Sequence, residues 1–182
     1  MMKSCAGLGS VWLATLLPDI VAAQEHAHRA AQSETPSGFE FFTTGDAVEV
    51  EAIAAQIIPT DDTPGAREAR VIYFIDRALA TFAAGEQKAF AEGLKDLQKK
   101  AKKQFHGAKR FSDLSAEQQI VLLKKIETSQ FFELVRTMTI LGMFANPEYG
   151  GNHDKIGWKL IGFEDQFFFK SPFGYYDRDY KA

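Results

Sequence analysis

Residues 129–144, SQFFELVRTMTILGMF, carry apolar side chains on every side of a helical wheel: Phe131, Phe132, Leu134, Val135, Met138, Ile140, Leu141, Met143 and Phe144. A helix that is apolar all round is expected at the centre of a bundle, covered by its neighbours. Ser129 stands where an N-cap is wanted, because its hydroxyl can accept from an amide of the first turn. Glu133 and Arg136, spaced by three, can pair along the helix surface.

The segments upstream are apolar on one side only. Thr43 or Thr44 caps a helix in which Val50, Ile53, Ala54 and Ile57 share a face, and Pro59 ends it. Residues 60–65, TDDTPG, form a turn. Asp61 and Asp62 within it fit a solvated or capping role, since their spacing matches no calcium loop. A second helix over about residues 68–82 carries Val71, Phe74, Ile75, Ala78, Leu79 and Phe82 on one stripe. The third, over about 86–105, buries Phe90, Leu94, Leu97, Ala101 and Phe105. Its other face carries Lys88, Lys95, Lys99, Lys100, Lys102 and Lys103. That face reads as solvated surface, and no aromatics interleave with it as nucleic-acid binding would require. Residues 115–118, SAEQ, make a capping box ahead of Ile120, Leu123 and Ile126. No run alternates with period two, so the sequence predicts a mostly α, single-domain bundle or orthogonal array of about five helices.

At 182 residues, 46% hydrophobic and 25% charged, the chain suits one domain with a real core. A net charge of −3 argues against nucleic acid as the main partner. The apolar run of residues 6–17, behind Lys3 and ahead of Pro18 and the small residues 21–23, reads as a signal peptide over residues 1–23. Residues 24–38 read as a polar lead-in, and its His26 and His28 do not make a specific metal site. The single cysteine, Cys5, falls in the segment expected to be removed. A mature chain without cysteine holds no disulfide, no thiolate-bound iron–sulfur cluster and no covalent c-type haem.

Two features remain beyond the helices. Residues 146–163, NPEYGGNHDKIGWKLIGF, place four glycines around large aromatics and read as a sculpted surface loop. Tyr149, Gly150, Gly151, His153, Trp158 and Phe163 form its candidate contact surface. His153 beside Asp154 is the best catalytic candidate, either a general base or a hydrogen-bonded loop anchor, and the anchor is preferred because no nucleophile accompanies it. No dinucleotide, P-loop, haem-attachment or paired-histidine motif occurs, so no catalytic, cofactor-binding or metal-binding residue is assigned. The second feature is the C-terminal tail, residues 166–182. From Phe163 into that tail, Phe163, Phe167, Phe168, Phe169, Phe173, Tyr175, Tyr176 and Tyr180 interleave with charges. So much aromatic area either folds back over the bundle or packs on another protein. Phe163, Phe167, Phe168, Tyr175 and Tyr176 are the candidate interface residues of this part.

The run Asn146-Pro-Glu-Tyr-Gly-Gly-Asn-His-Asp154 with Gly157-Trp-Lys-Leu-Ile-Gly-Phe163 resembles the signature of the gluconate 2-dehydrogenase subunit 3 family. Phe41-Phe42-Thr43, Ile57-Ile58-Pro59 through Ala69, Phe74-Ile-Asp-Arg77 and Phe131-Phe-Glu-Leu134 are similar to the family's other motifs, so the resemblance covers residues 39–165. It implies the small, or gamma, subunit of a periplasmic complex. The FAD is carried there by a large dehydrogenase subunit of the glucose–methanol–choline type, acting on a sugar or sugar acid. A multihaem cytochrome c subunit carries haem c and passes electrons on. The small subunit has no assigned catalytic residue and supports folding, export and assembly of the flavoprotein, meeting the membrane only through the complex. The family's twin-arginine signal is missing from the start MMKSC, which favours a true start further upstream. Two other readings stay open: a free-standing periplasmic enzyme using His153 and Asp154, and a sugar-binding protein whose aromatic tail stacks on its ligand.

Overall fold

The computed structural model describes residues 38–166 and Phe168. Six α-helices and four short 3-10 turns make up its regular structure, with no strand among the described residues. In chain order the helices are α1 (Thr44–Ile57), α2 (Val71–Ala80), α3 (Gln87–Gln104), α4 (Ala116–Ile126), α5 (Gln130–Phe144) and α6 (Ile156–Ile161). The all-α single domain follows expectation, with one helix more than foreseen. That sixth helix lies inside the glycine-rich segment. The signal peptide, most of the lead-in, Phe167, Tyr175 and Tyr176 lie outside the described residues.

Side-chain caps set the starts of α1, α4 and α5. Thr43 Oγ1 accepts from the Asp46 amide at 3.1 Å, and Ser129 Oγ from the Phe132 amide at 3.2 Å. Ser115 and Gln118 exchange hydrogen bonds as a capping box. At α2 the start falls three residues later than foreseen. Arg70 takes a left-handed φ of 52°, and Glu68 bends back to accept from the Gly65 amide and the Thr60 hydroxyl at 2.9 and 2.7 Å. Asp61 accepts from both the amide and the hydroxyl of Thr63, the capping turn that its spacing favoured.

Helix α5 packs against α1, α2 and α3 and carries α6 on its C-terminal end. Its Val135 and Met143 are fully buried with Ile53, Ile75, Leu79, Phe90 and Leu97. The Phe90 ring lies 5.5 Å from Phe42 and 5.4 Å from Phe131, centre to centre. Each such side chain contributes about 1.5–3 kcal/mol through burial. The coverage of α5 is not complete, however. Ile140 and Leu141 are 42% and 47% exposed, on the same side as the Arg136–Glu133 ion pair of 2.8 Å. Apolar content alone therefore overstated how many neighbours α5 has.

A similar correction applies to α4, where Ile120 was expected inside and is exposed. The buried set is Gln119, Leu122, Leu123 and Ile126. Gln119 can lie inside because its amide is satisfied. It donates to the Phe111 and Leu114 carbonyls at 3.3 and 3.2 Å and accepts from Gln56 at 2.8 Å.

Two buried carboxylates hold the connections between helices. Asp76 on α2 accepts from the amides of Glu40, Phe41 and Phe42 at 2.7, 3.0 and 2.8 Å, tying the chain entering α1 onto α2. Glu49 on α1 accepts from the Phe111 amide at 2.9 Å and from the Ser112 hydroxyl, fixing the turn that leads into α4. Asp113 in the same turn accepts from the amides of Lys109 and Arg110, so Ser112 and Asp113 serve as loop and cap residues.

Candidate functional site

The last carbonyls of an α-helix have no partner within the helix and must find one elsewhere. At the end of α5 the glycine-rich segment supplies those partners. The Leu141 carbonyl is still satisfied by the helix's own C-cap, the Ala145 amide at 2.7 Å, and the segment takes over beyond it. The Gly142 carbonyl takes the Asn152 amide at 2.7 Å, and the Ala145 carbonyl takes Asn152 Nδ2 at 2.9 Å. The Phe144 carbonyl takes Trp158 Nε1 at 2.7 Å. Asn152 Oδ1 in turn accepts from the Gly157 amide at 2.8 Å. Asn152 is fully buried, and its amide and both ends of its side chain are all spent on this cap. Asn152 stands inside the glycine-rich motif but was not among its expected contact residues. The available signal was an asparagine directly after two glycines, a residue that tolerates left-handed backbone.

The glycines are explained by the same geometry. A Cβ on Gly151 would stand 2.1 Å from the Gly142 carbonyl oxygen, and one on Gly157 would stand 1.9 Å from that of Met143. Both contacts are with backbone, which cannot swing aside. Gly150 has a φ of +105° and closes the 3-10 turn Pro147–Tyr149, with its amide on the Pro147 carbonyl at 2.9 Å. The segment ends on Gly162 in a Schellman arrangement, the Phe163 amide on the Trp158 carbonyl at 2.8 Å. What the sequence presented as a surface loop is a pinned cap made of two 3-10 turns and α6.

Four non-glycine residues with positive φ occur among the described residues, and three of them are Asn152, Asp154 and Lys155. Left-handed backbone costs about 1–2 kcal/mol per ordinary residue. The fourth, Arg70, lies beside them, because the His153 amide donates to the Ala69 carbonyl at 3.1 Å. His153 therefore anchors the segment through its backbone and not through its imidazole. The ring is partly exposed, with Nε2 3.4 Å from Oδ2 of a largely exposed Asp154. Among the described residues no group of three or more His, Cys, Asp or Glu could hold a metal ion. A groove of about 120 Å³ between α1, α4 and α5, lined by Gln56, Ile57, Ile120, Leu123, Lys124, Glu127 and Phe132, lies away from this pair. It is smaller than the ~300 Å³ at which ligand clefts begin.

The remaining candidate residues divide by exposure. Gly151 is buried, Gly150 and Trp158 are half-buried, and Tyr149 is exposed. Beneath Gly150 lies Arg77, whose guanidinium burial pushes down from its ordinary value while Glu40 and Asp76 pull it back up. Phe163 is 50% exposed with its ring 5.0 Å from Trp158, and Lys155 stands 5.5 Å over the indole. Lys155 also pairs with Asp165 at 2.9 Å. On the outer side of α6, Leu160 and Ile161 are exposed, and Phe168 beyond them is 72% exposed. Together with Ile140 and Leu141 on α5, these residues put large apolar side chains in water on two elements that pack together. The structure thus joins Trp158 and Phe163 in one cluster. It places Tyr149 apart from them, on the turn that touches α2.

No helix among the described residues is long and apolar enough to cross a membrane. No curated protein and no solved structure matches the chain. The family model for gluconate 2-dehydrogenase subunit 3 matches residues 46–165, nearly the whole described domain, with the capped glycine segment inside the match. The chain belongs to the gluconate 2-dehydrogenase subunit 3 family and is a subunit of an oxidoreductase complex.

Proposed function

We propose that this chain is the noncatalytic small subunit that docks the FAD-bearing large subunit, a dehydrogenase of the glucose–methanol–choline type, and supports its folding, export and assembly. The FAD belongs to that partner and haem c to a multihaem cytochrome subunit, in a complex on the periplasmic side of the cytoplasmic membrane. The observation that carries the reading is the two-sidedness of the glycine segment. Its inner side is consumed by capping α5, while Leu160, Ile161 and Phe163 stay exposed, as do Phe168 beyond the segment and Ile140 and Leu141 on the helix that α6 packs against. Exposed aromatic and large aliphatic side chains on a rigid support are the composition of an interface core. In this reading Trp158, whose ring lies against Phe163, backs that docking surface; the tail residues Phe167, Tyr175 and Tyr176 lie outside the described residues.

Co-expression tests it. The large subunit should gain several-fold in soluble, flavin-loaded yield when this chain is present, and equal yield without it would sink the proposal. His153→Ala should leave complex assembly and turnover within twofold of wild type. Lost turnover in an intact complex would instead make His153 a catalytic residue.

A further inference from the structure

The docking face leaves one strongly charged surface unused. Helix α3 holds six lysines and no arginine against two acids, Glu92 and Asp96, in a chain whose net charge is −3. Lys88, Lys95, Lys99 and Lys102 recur at intervals of seven, four and three, so they line a single stripe on the wheel opposite the buried Phe90, Leu94, Leu97 and Ala101. All four are exposed, as are Lys100 and Lys103 beside them. At 1.5 Å per residue the stripe is about 21 Å long. Lys125, at the end of α4, donates to Gln104 at 2.6 Å and carries the positive field onto a second element. Of the six lysines on α3, Lys99 is held by an ion pair, at 2.9 Å with Asp96, which is itself exposed. Lys102 and Lys103 complement the C-terminal end of the helix dipole. That role does not reach Lys88, Lys95 or Lys99, which lie further up the helix.

We infer that this lysine face adsorbs to an anionic lipid surface. The residue choice separates that partner from the alternatives. Protein interfaces are depleted in lysine and enriched in arginine and aromatics, the reverse of this face. Single-stranded nucleic acid needs aromatic stacking platforms, which the stripe lacks. Lysine ammonium groups are compact, strongly hydrated point charges on flexible stems, suited to diffuse attraction and not to bidentate recognition. The stripe contains no large apolar side chain to insert, so the contact is electrostatic and falls off within a Debye length. The inference is independent of the docking face, which lies on α5 and α6. It gives this chain a membrane contact of its own, beyond one made through its partners.

The test is flotation of the purified full chain with phosphatidylcholine vesicles that contain or lack phosphatidylglycerol. Binding to the neutral vesicles sets the baseline for any contribution from the apolar N-terminal run. The anionic vesicles should bind more, and the excess should vanish at high salt. Lys95→Gln/Lys99→Gln/Lys102→Gln should lower that excess roughly hundredfold, each lysine near an anionic surface being worth about fivefold. The same charge change at Arg67, Arg136 and Lys159 should lower it by much less. Equal binding to both vesicles, or equal loss in the two triple variants, overturns the inference. So does a result in which the α3 variant keeps lipid binding and loses co-elution with the large subunit, which would make the face a protein contact.

Discussion

At the residue scale, Asn152 is the position on which the motif depends. Its side chain bridges a helix-terminal carbonyl and the Gly157 amide in a fully buried place. Asn152→Ala strands both groups away from water and should cost about 2–4 kcal/mol in urea unfolding, since each buried unsatisfied group costs about 1–3 kcal/mol. A loss below about 1 kcal/mol would show that water reaches the site. Asp154 makes the opposite prediction. It is exposed at a φ of 55°, a conformation that glycine adopts without strain. Asp154→Gly should therefore stabilise the chain by up to about 1 kcal/mol in the same assay. Destabilisation would mean that the carboxylate has a structural partner beyond His153. The sequence could not rank these two neighbours, because their difference lies in burial. That burial depends on where α5 ends in space.

At the element scale, capping chemistry was legible and long-range pairing was not. Thr43, Ser115 and Ser129 announced the starts of α1, α4 and α5, since a cap and its amide lie within a few residues of each other. Asp76 and Glu49 announced nothing, since the amides that they accept lie more than thirty residues away. The outer side of α5 was misread for a related reason: a wheel apolar all round does not tell which neighbours exist. The turn between α1 and α2 offers a test by pH. Hydrogen bonds from Thr60 first, and then from backbone amides, hold the Glu68 carboxyl below its ordinary value of 4.5. A depressed folded value stabilises the fold above the unfolded value, and the effect is lost as pH falls through the folded one. Glu68→Gln should thus cost less than about 1 kcal/mol at neutral pH, the group being largely solvated. The gap between variant and wild type should close below about pH 4.5 as the wild-type carboxylate protonates. A gap that stays constant with pH would assign the effect to turn geometry and not to charge.

At the scale of the whole molecule, the resemblance read from the glycine motif and the family match agree over nearly the same residues. What the motif does was the illegible part. Its glycines read as those of a sculpted surface loop, and two of them, Gly151 and Gly157, are close-approach sites on the end of α5, while its tryptophan is half committed to that cap through Nε1. Trp158→Ala would consequently disturb the support and the docking face together. Ile161 and Phe163 separate the two roles, since both are at least half exposed and their side chains lie outside the cap. The decisive measurement is co-elution of Ile161→Ser/Phe163→Ser with the large flavoprotein subunit, with helicity and unfolding midpoint recorded in parallel. The variant should keep a wild-type fold and form an at least tenfold weaker complex. Wild-type co-elution from an intact variant would contradict this expectation, and would move the docking surface off the glycine segment.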